Sequence, residues 1–413
     1  GRKLEDTLKS LHTEIIEDRN AGQDPTFKGM VLNDLRARLQ AMREAKVGPI
    51  ASFLGKVGTM WYMTSPSIAL VQMTQLPILT LPKLAVKYGL GKATSAMRKG
   101  LRMAFSKDYT KDKLFGNLEV DALHDWLRMT VTAEMLENRG KNPLADRQLG
   151  DKQLGDFLYT KEDIESRYKQ LSPEQQRIFI LREALARNLL DISAAHEAYS
   201  LTQGKDPNSL TNKAFRLAMA PMRLSELASR KAAILSTMEL SKEQGKGFFD
   251  TIKDVGEVVN DTLYSYSTAN KPAVLQGGTA RVLAMFQWYR IMTALRIGLM
   301  FKRSIAAETP EIRAAAQKEF IGIMGMTALL AGTLGLPLAK TVFSALDAIA
   351  DDDEPRDSEL EFRKWAAERF GPEFGKIFTH GLPAAAGLNL TKRIGLDNLY
   401  GFQSEPPPRL HGK

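Results

Sequence analysis

The chain has 413 residues, 44% of them hydrophobic, and a formal net charge of +9. This length and composition predict two or three folded domains and exclude disorder of the whole chain. The absence of cysteine excludes disulfides, thiol catalysis and cysteine-based zinc sites. The charged start carries no early apolar run, so no signal peptide is indicated. Because the first residue is Gly and the sequence opens within a helical pattern, we expect a piece of a longer chain.

Residues 1–47 are predicted to form amphipathic helices. Leu4, Leu8, Leu11 and Ile15 recur at spacings of three and four, and a second such series begins at Leu32. Charged residues cover the other faces. This pattern is typical of an ordinary helix pair or of a helix that binds a partner.

Residues 48–107 hold most of the first of two acid-free windows. Ala45–Lys107 contains nine Lys and Arg residues and no Asp or Glu, and Val57–Pro82 is 26 residues without charge. Three prolines argue against a simple spanning helix there, leaving short helices packed in a core or against a membrane. The candidate contacts with membrane or neighbouring subunits in this window are Trp61 and Tyr62. The candidate contacts with DNA or anionic lipid are Lys83, Lys87, Lys92, Arg98, Lys99 and Arg102.

Residues 108–250 are predicted to be helical with mixed charges. Ser172-Pro173-Glu174-Gln175 is a strong helix start, with Ser at the N-cap and Pro at the first helical position. Ala214–Lys242 has the composition of a long packed helix.

Residues 251–350 contain the second acid-free window, Thr262–Ala307, with six basic residues among aromatic and aliphatic ones. On a helical wheel, four of these bases fall within an arc of about 120° and Arg290 lies opposite. Arginine near a bilayer centre costs about 2.5–3.5 kcal/mol, so this helix is expected to be interfacial or protein-facing. The candidate contacts with membrane or neighbouring subunits are Phe286, Trp288 and Tyr289. The candidate contacts with DNA or anionic lipid are Arg296, Lys302 and Arg303.

Phe320–Ala339 is a stretch of 20 uncharged residues with recurring glycines. Such glycines let helices approach closely, as in membrane helices, and Pro337 is expected to kink or end the helix. The segment is either a membrane-inserted half of a helical hairpin or a buried helix of a large assembly. Its candidate contact residues are Phe320, Ile323, Leu329 and Leu336.

Residues 351–413 begin with an acidic loop, Asp351–Glu361, and end in an extended tail with three consecutive prolines at Pro406–Pro408. Across the whole chain, catalytic spacings are not found. The five histidines show no metal-ligand spacing, and the segment Gly89–Thr94 lacks the residues that a phosphate-binding loop requires. We therefore expect no cofactor, no metal and no catalysis in this segment, unless an active site is built from scattered residues.

Together these patterns predict an all-α, elongated subunit of an assembly, with long amphipathic helices and a membrane-inserted hairpin. Positive charge concentrated on the most apolar segments suits an anionic partner, either a membrane surface or a polymer such as DNA.

Four segments, in order, resemble the giant virion proteins and polyvalent proteins of phages. They are SPSIALVQMTQLPILTLPKLAVKYGLGKA (Ser65–Ala93), LSELASRKAA (Leu224–Ala233), NKPAVLQGGTARVLAMFQWYRIM (Asn270–Met292) and GLNLTKRIGLDNLYG (Gly387–Gly401). The resemblance covers roughly Gly48–Gly401. It departs from the family pattern at Trp288, where a basic residue is usual, and the PLxRFG signature of one subgroup is absent.

The resemblance implies an internal virion protein of a short-tailed phage, stored inside the capsid and ejected with or ahead of the genome. It implies a homo-oligomeric channel for DNA in the host envelope, at the periplasm or inner membrane. The implied partners are other ejection proteins, portal and tail proteins, double-stranded DNA bound without sequence preference, and the host membrane. Two alternatives stay open: the docking region of a packaged enzyme such as a virion RNA polymerase, with catalysis elsewhere in a longer chain, and a host-derived membrane scaffold.

Overall fold

The structure is a computed structural model. It describes residues 2–21, 24, 26–43, 66–109, 111–137, 148–149, 152–153, 160–190, 217, 219–264, 278–337, 339–349 and 357–391.

The described part of the chain is all-α, which confirms the predicted fold class. Its α-helices are α1 (Arg2–Asn20), α2 (Thr26–Arg43), α3 (Pro66–Gln75), α4 (Leu81–Tyr88), α5 (Leu90–Ala104), α6 (Leu118–Glu137), α7 (Lys161–Gln170), α8 (Pro173–Ala186), α9 (Ala220–Glu243), α10 (Phe248–Thr262), α11 (Gly278–Ala306), α12 (Pro310–Ala331), α13 (Ala339–Ile349), α14 (Ser358–Phe370) and α15 (Pro372–His380). Shorter elements are a π-helix at Leu76–Thr80, 3₁₀ turns at Lys107–Tyr109, Lys111–Leu114, Thr333–Gly335 and Leu382–Ala386, and an antiparallel ladder of β1 (Gln148–Leu149) with β2 (Lys152–Gln153).

The chain divides into two compact units. The smaller comprises residues 1–68, 192–223 and 265–289, and the larger comprises residues 69–191, 224–264 and 290–413. In the smaller unit α1 and α2 pack together, with Leu8 and Leu32 buried, as the periodicity of the sequence predicts. The ammonium of Lys28 on α2 lies 2.7 Å from the Asp18 carboxylate on α1.

The core of the larger unit surrounds two helices that are apolar on several sides. Consecutive residues 178–181 of α8 and 232–235 of α9 are all buried, a pattern that requires neighbours around the whole helix. The Phe179 ring is fully buried, with its centroid 4.8 Å from that of Phe248 and 5.7 Å from that of Tyr168. This aromatic centre joins α7, α8 and α10.

The helix starts follow ordinary capping chemistry. The Ser172 hydroxyl accepts a hydrogen bond from the Gln175 backbone N–H, and the Gln175 side chain accepts one from the Ser172 N–H. The start predicted for α8 is thus confirmed. Thr160 caps α7 in the same reciprocal way, through Asp163.

A π-helical turn connects α3 to α4. Pro77 has no N–H to donate, and the Leu81 N–H reaches back five residues to the Leu76 carbonyl. The turn is almost wholly buried, and the Thr80 hydroxyl donates to the Thr262 hydroxyl of α10 at 2.9 Å. Pro77 of the first acid-free window therefore lies within a core element.

The structure corrects the prediction made for the apolar stretch Phe320–Ala339. It was expected to continue to Pro337, but α12 ends at Ala331, where Gly332 adopts a φ of 72°. A Cβ at Gly332 would stand 2.1 Å from the Thr379 carbonyl oxygen, so the chain turns there against α15. Among the residues that the structure describes, no helix combines the length and the apolar character that crossing a bilayer requires.

Close approach at glycine, as predicted for this stretch, is found at Gly322 as well as at Gly332. A Cβ at Gly322 would lie 2.8 Å from the Pro82 Cβ, so α12 packs closely on α4. At Gly325 the space is open. The helix α12 therefore packs on α4 at Gly322, whereas Gly325 lies outside this contact.

Candidate interaction surfaces

The basic residues of the first acid-free window face acids from distant parts of the sequence. The Lys83 ammonium lies 2.8 Å from the carboxylates of both Glu257 and Asp261 on α10. Burial opposes the charge on Lys83, but hydrogen bonds to these two acids outweigh it and raise the lysine pKa. On the next turn of α4, Lys87 pairs with Asp254 of α10 at 2.6 Å.

The same pairing continues between α5 and α9. Lys99 forms an ion pair with Glu239, which also accepts from Arg177 at 2.9 Å, and Lys92 lies 4.0 Å from Glu243. Burial works against ionisation of the Glu239 carboxyl, but Lys99 and Arg177 keep its pKa below the ordinary value. Four of the six basic candidates in this window therefore have carboxylate partners within the fold.

Asp254 is the centre of this pairing. Its carboxylate accepts from Lys87 at 2.6 Å, from Lys246 at 2.7 Å and from the Tyr88 hydroxyl at 2.8 Å, and the Ser241 hydroxyl lies at 3.2 Å. Burial favours the neutral acid, but these donors outweigh it and lower the Asp254 pKa to about 2. The network joins α4, α9 and α10.

The acids had a sequence signal that the prediction missed. Asp254, Glu257 and Asp261 are spaced by three and four, so they form one stripe on α10, which we call the acidic stripe. Lys83 and Lys87 are spaced by four on α4. Two helix faces of opposite charge are a hint of contact between them.

Arg98 and Arg102 are the two remaining candidates of this window. Both are exposed on α5, one turn apart, and neither forms an ion pair within the described part of the chain. They stay candidate contacts for phosphate.

In the second acid-free window, Arg296 is buried and forms its contacts within the fold. Its guanidinium pairs with the buried Glu319 carboxylate of α12, donates to the Asp261 carbonyl and lies 3.8 Å from the Asp261 carboxylate. Because Lys83 also contacts Asp261, these charges join α4, α10, α11 and α12. The basic residues that the helical wheel places on one arc therefore differ in environment. Arg296 is buried and paired, whereas Lys302 and Arg303 are exposed.

Around Lys302 and Arg303, the end of α11 exposes large apolar side chains. The exposed fraction is 62% for Leu295, 53% for Phe301 and 61% for Ile305. Large exposed apolar patches of this kind mark interaction sites on soluble proteins.

The apolar candidates have several outcomes. Ile323 is fully buried, Phe320 is partly buried with its ring centroid 5.9 Å from that of Phe301, Leu329 is 44% exposed, and Leu336 is partly buried. Phe286, Trp288 and Tyr289 lie in α11, in the stretch 278–290, where no side chain is described, and Trp61 and Tyr62 lie outside the described residues.

Exposed apolar side chains continue along α13, α14 and α15, which sequence reasoning did not single out. Trp365 and Phe370 of α14 and Phe374 and Phe378 of α15 are each at least 39% exposed. Within the described residues, no group of three metal-ligating side chains is found.

No protein-family model, curated protein or solved structure matches this chain.

Proposed function

We propose that this chain is a structural subunit of the DNA-ejection assembly of a short-tailed phage. It is stored in the capsid, leaves with the genome and forms a homo-oligomeric channel in the host envelope, at the periplasm or inner membrane. The proposal rests on the sequence resemblance and on one structural observation: the helices of residues 290–391 expose an extensive apolar surface. A subunit that acts alone in water gains nothing from such a surface, whereas an assembly buries it.

The exposed side of α11 supplies one subunit contact in this proposal. Leu295 and Leu299 lie one turn apart and Lys302 follows on the same face, all exposed. A face of leucines with a single lysine fits a neighbouring apolar helix, with the ammonium extending to water at the edge.

The DNA contacts of the proposal narrow to four cations. Arg98, Arg102, Lys302 and Arg303 are exposed and keep this role. The other five basic candidates pair with acids of the fold: Lys83, Lys87, Lys92, Lys99 and Arg296. Contacts through a few arginines and lysines to phosphate would be independent of base sequence and strongly dependent on salt.

The membrane contact is the finer part of the proposal. The predicted hairpin corresponds to α11 and α12, which the buried Arg296–Glu319 pair joins. Inserting both charges into hydrocarbon would cost several kcal/mol. We therefore propose that this hairpin meets the bilayer at its surface and contacts neighbouring subunits, with portal, tail and other ejection proteins as further partners.

Electron cryomicroscopy of the chain with lipid vesicles tests the assembly. We expect rings of several copies with a central pore, in which residues 290–306 lie between neighbours. A monomer that leaves anionic vesicles unbound at low salt would contradict the proposal and favour the docking region of a packaged enzyme.

Salt-dependent DNA binding tests the phosphate contacts. Arg98→Gln with Arg102→Gln should weaken binding and reduce the slope of log K against log salt by about 1.8, at roughly 0.9 per phosphate contact. The matched control, Lys169→Gln with Lys253→Gln, removes two exposed charges elsewhere on the larger unit and should leave the slope near that of wild type. Equal slopes for all three proteins would reject these arginines as the contact.

A further inference from the structure

Aromatic side chains of α13, α14 and α15 form one continuous group at the surface, which we call the aromatic patch. Five of its rings contact one another, those of Phe343, Phe362, Trp365, Phe370 and Phe378. The exposed Phe374 extends the patch along α15. The ring centroids of Phe362 and Trp365 are 5.7 Å apart and stacked, and those of Phe370 and Phe378 are 5.2 Å apart. Phe374 lies one turn before Phe378 on the same face of α15.

The patch is open to a partner. Phe374 is 71% exposed and Trp365 49%, whereas Phe179 and Phe248 of the core are fully buried. Contiguous aromatic surface is the feature by which domains bind extended, proline-rich peptides, since flat rings pack against the proline rings.

The charges beside the patch disfavour an anionic lipid surface. Residues 357–380 carry five acids and four bases, a formal charge of −1 with His neutral. An anionic bilayer attracts basic surfaces and gains nothing here. A neutral or basic peptide is the better match.

The chain itself carries such a peptide in its sequence, beginning thirteen residues after Thr391. Thr391, at the end of the described residues, donates from its hydroxyl to the Ala331 carbonyl at 2.9 Å and is within 3.4 Å of the His380 carbonyl. His380 ends α15, the helix that carries Phe374. Pro406 follows fifteen residues later, and fifteen residues span up to about 50 Å when extended. The nine residues of α15 cover only about 13 Å, so the connecting chain is long enough for the prolines to reach any residue of this helix.

We propose that the aromatic patch binds the segment Ser404–Leu410 (SEPPPRL) of the same molecule. Three consecutive prolines favour the polyproline II conformation, so binding them loses little conformational entropy. Arg409 follows directly and supplies a cation that stacks on an aromatic ring beside the acids of α14 and α15. This inference is independent of the ejection function, and its test uses the isolated chain.

Site-specific photo-cross-linking of the full chain tests the proposal. A photoreactive amino acid replaces Leu410, the monomer is irradiated in dilute solution, and the cross-linked peptides are mapped. We expect links to α14 and α15. A mixture of isotopically heavy and light protein should give links within single molecules.

Two variants and a control sharpen the result. Phe374→Ala should lower the yield of this cross-link by about tenfold, as should replacing Pro406, Pro407 and Pro408 together by Ala. Phe374 is so exposed that its loss leaves folding intact, which circular dichroism verifies. The control, Leu118→Ala, removes a side chain that is 86% exposed outside the patch and should leave the yield unchanged.

Four outcomes would overturn the proposal. Links that map elsewhere, or that join heavy to light molecules, would assign the patch to another occupant or to a second copy. An unchanged yield of the cross-link in Phe374→Ala would show that the segment Ser404–Leu410 does not bind the patch. Binding to phosphatidylserine vesicles that Phe374→Ala abolishes would make the patch a lipid contact.

Discussion

Two regions of the larger unit use the same kind of sequence in opposite ways. In the described parts of residues 69–191 and 224–264, basic and apolar segments are folded inward. Lys83 and Lys87 pair with the acidic stripe, and the rings of Phe179 and Phe248 are enclosed. In residues 290–391, exposed cations accompany exposed aliphatic and aromatic side chains. An acid-free window therefore indicates a surface only where no complementary acidic helix face exists elsewhere in the chain.

The largest expected difference is between aromatic side chains of the two regions. Phe179→Ala should lower the free energy of unfolding by about 3–5 kcal/mol, because it leaves a cavity among Tyr168 and Phe248. Phe374→Ala should change it by less than about 0.5 kcal/mol, because Phe374 is largely exposed. Urea unfolding measures both. Equal losses would show that the two regions are equally packed and would break the comparison.

The ion-paired region should respond to acid through Asp254. The folded state lowers the pKa of this carboxyl from 3.8 to about 2, so its stabilisation is complete above about pH 4 and is lost as pH falls through 2. Asp254→Asn should therefore reduce the free energy of unfolding by about 2 kcal/mol at neutral pH, and the deficit should shrink on acidification.

Urea unfolding of Asp254→Asn and wild type from neutral pH to about pH 2 provides the measurement. Asp125→Asn, at an exposed position of α6, is the matched control and should follow wild type throughout. A deficit for Asp254→Asn that does not change with pH would mean that side-chain packing, and not the carboxylate charge, is what the substitution removes.

Replacing two glycines of α12 by alanine should change the free energy of unfolding by smaller amounts and in opposite directions, because only one of them contacts α4. Gly322→Ala places a methyl group 2.8 Å from the Pro82 Cβ, and the strain should exceed the gain in helix propensity, for a net loss of about 1 kcal/mol. Gly325→Ala, in open space on the same helix, should stabilise by about 0.5–1 kcal/mol. Thermal unfolding compares them, and stabilisation by both would mean that α12 does not pack closely on α4.

Local signals in the sequence predicted local structure well. The two apolar series that contain Leu8 and Leu32 predicted the helices α1 and α2 of the smaller unit. The capping box at Ser172 predicted the start of α8. The end of α12 was placed wrongly because a glycine in a uniformly apolar stretch does not reveal its φ. The close neighbour of Gly332 is the backbone of Thr379, almost fifty residues later in the chain, so no local pattern announces the contact.

The candidate contacts were harder to predict because an ion pair joins residues far apart in the chain. Lys99 and Glu239 are separated by 140 residues, and Arg296 meets both Asp261 and Glu319. No local pattern distinguishes Lys99, which is paired, from Arg98 beside it, which forms no ion pair with any residue that the structure describes. The aromatic patch was missed for a similar reason, since its rings come from three helices that meet only after folding.

The number of residues in the π-helical turn at Leu76–Thr80 determines which charges of α4 and α10 can pair. Each residue added to or removed from a helix rotates everything beyond it by about 100°. Deleting one residue from this turn would swing Lys83 and Lys87 away from the acidic stripe while leaving the composition of α4 untouched. Homologous chains should therefore tolerate exchange of the apolar side chains in this turn more readily than any change in their number.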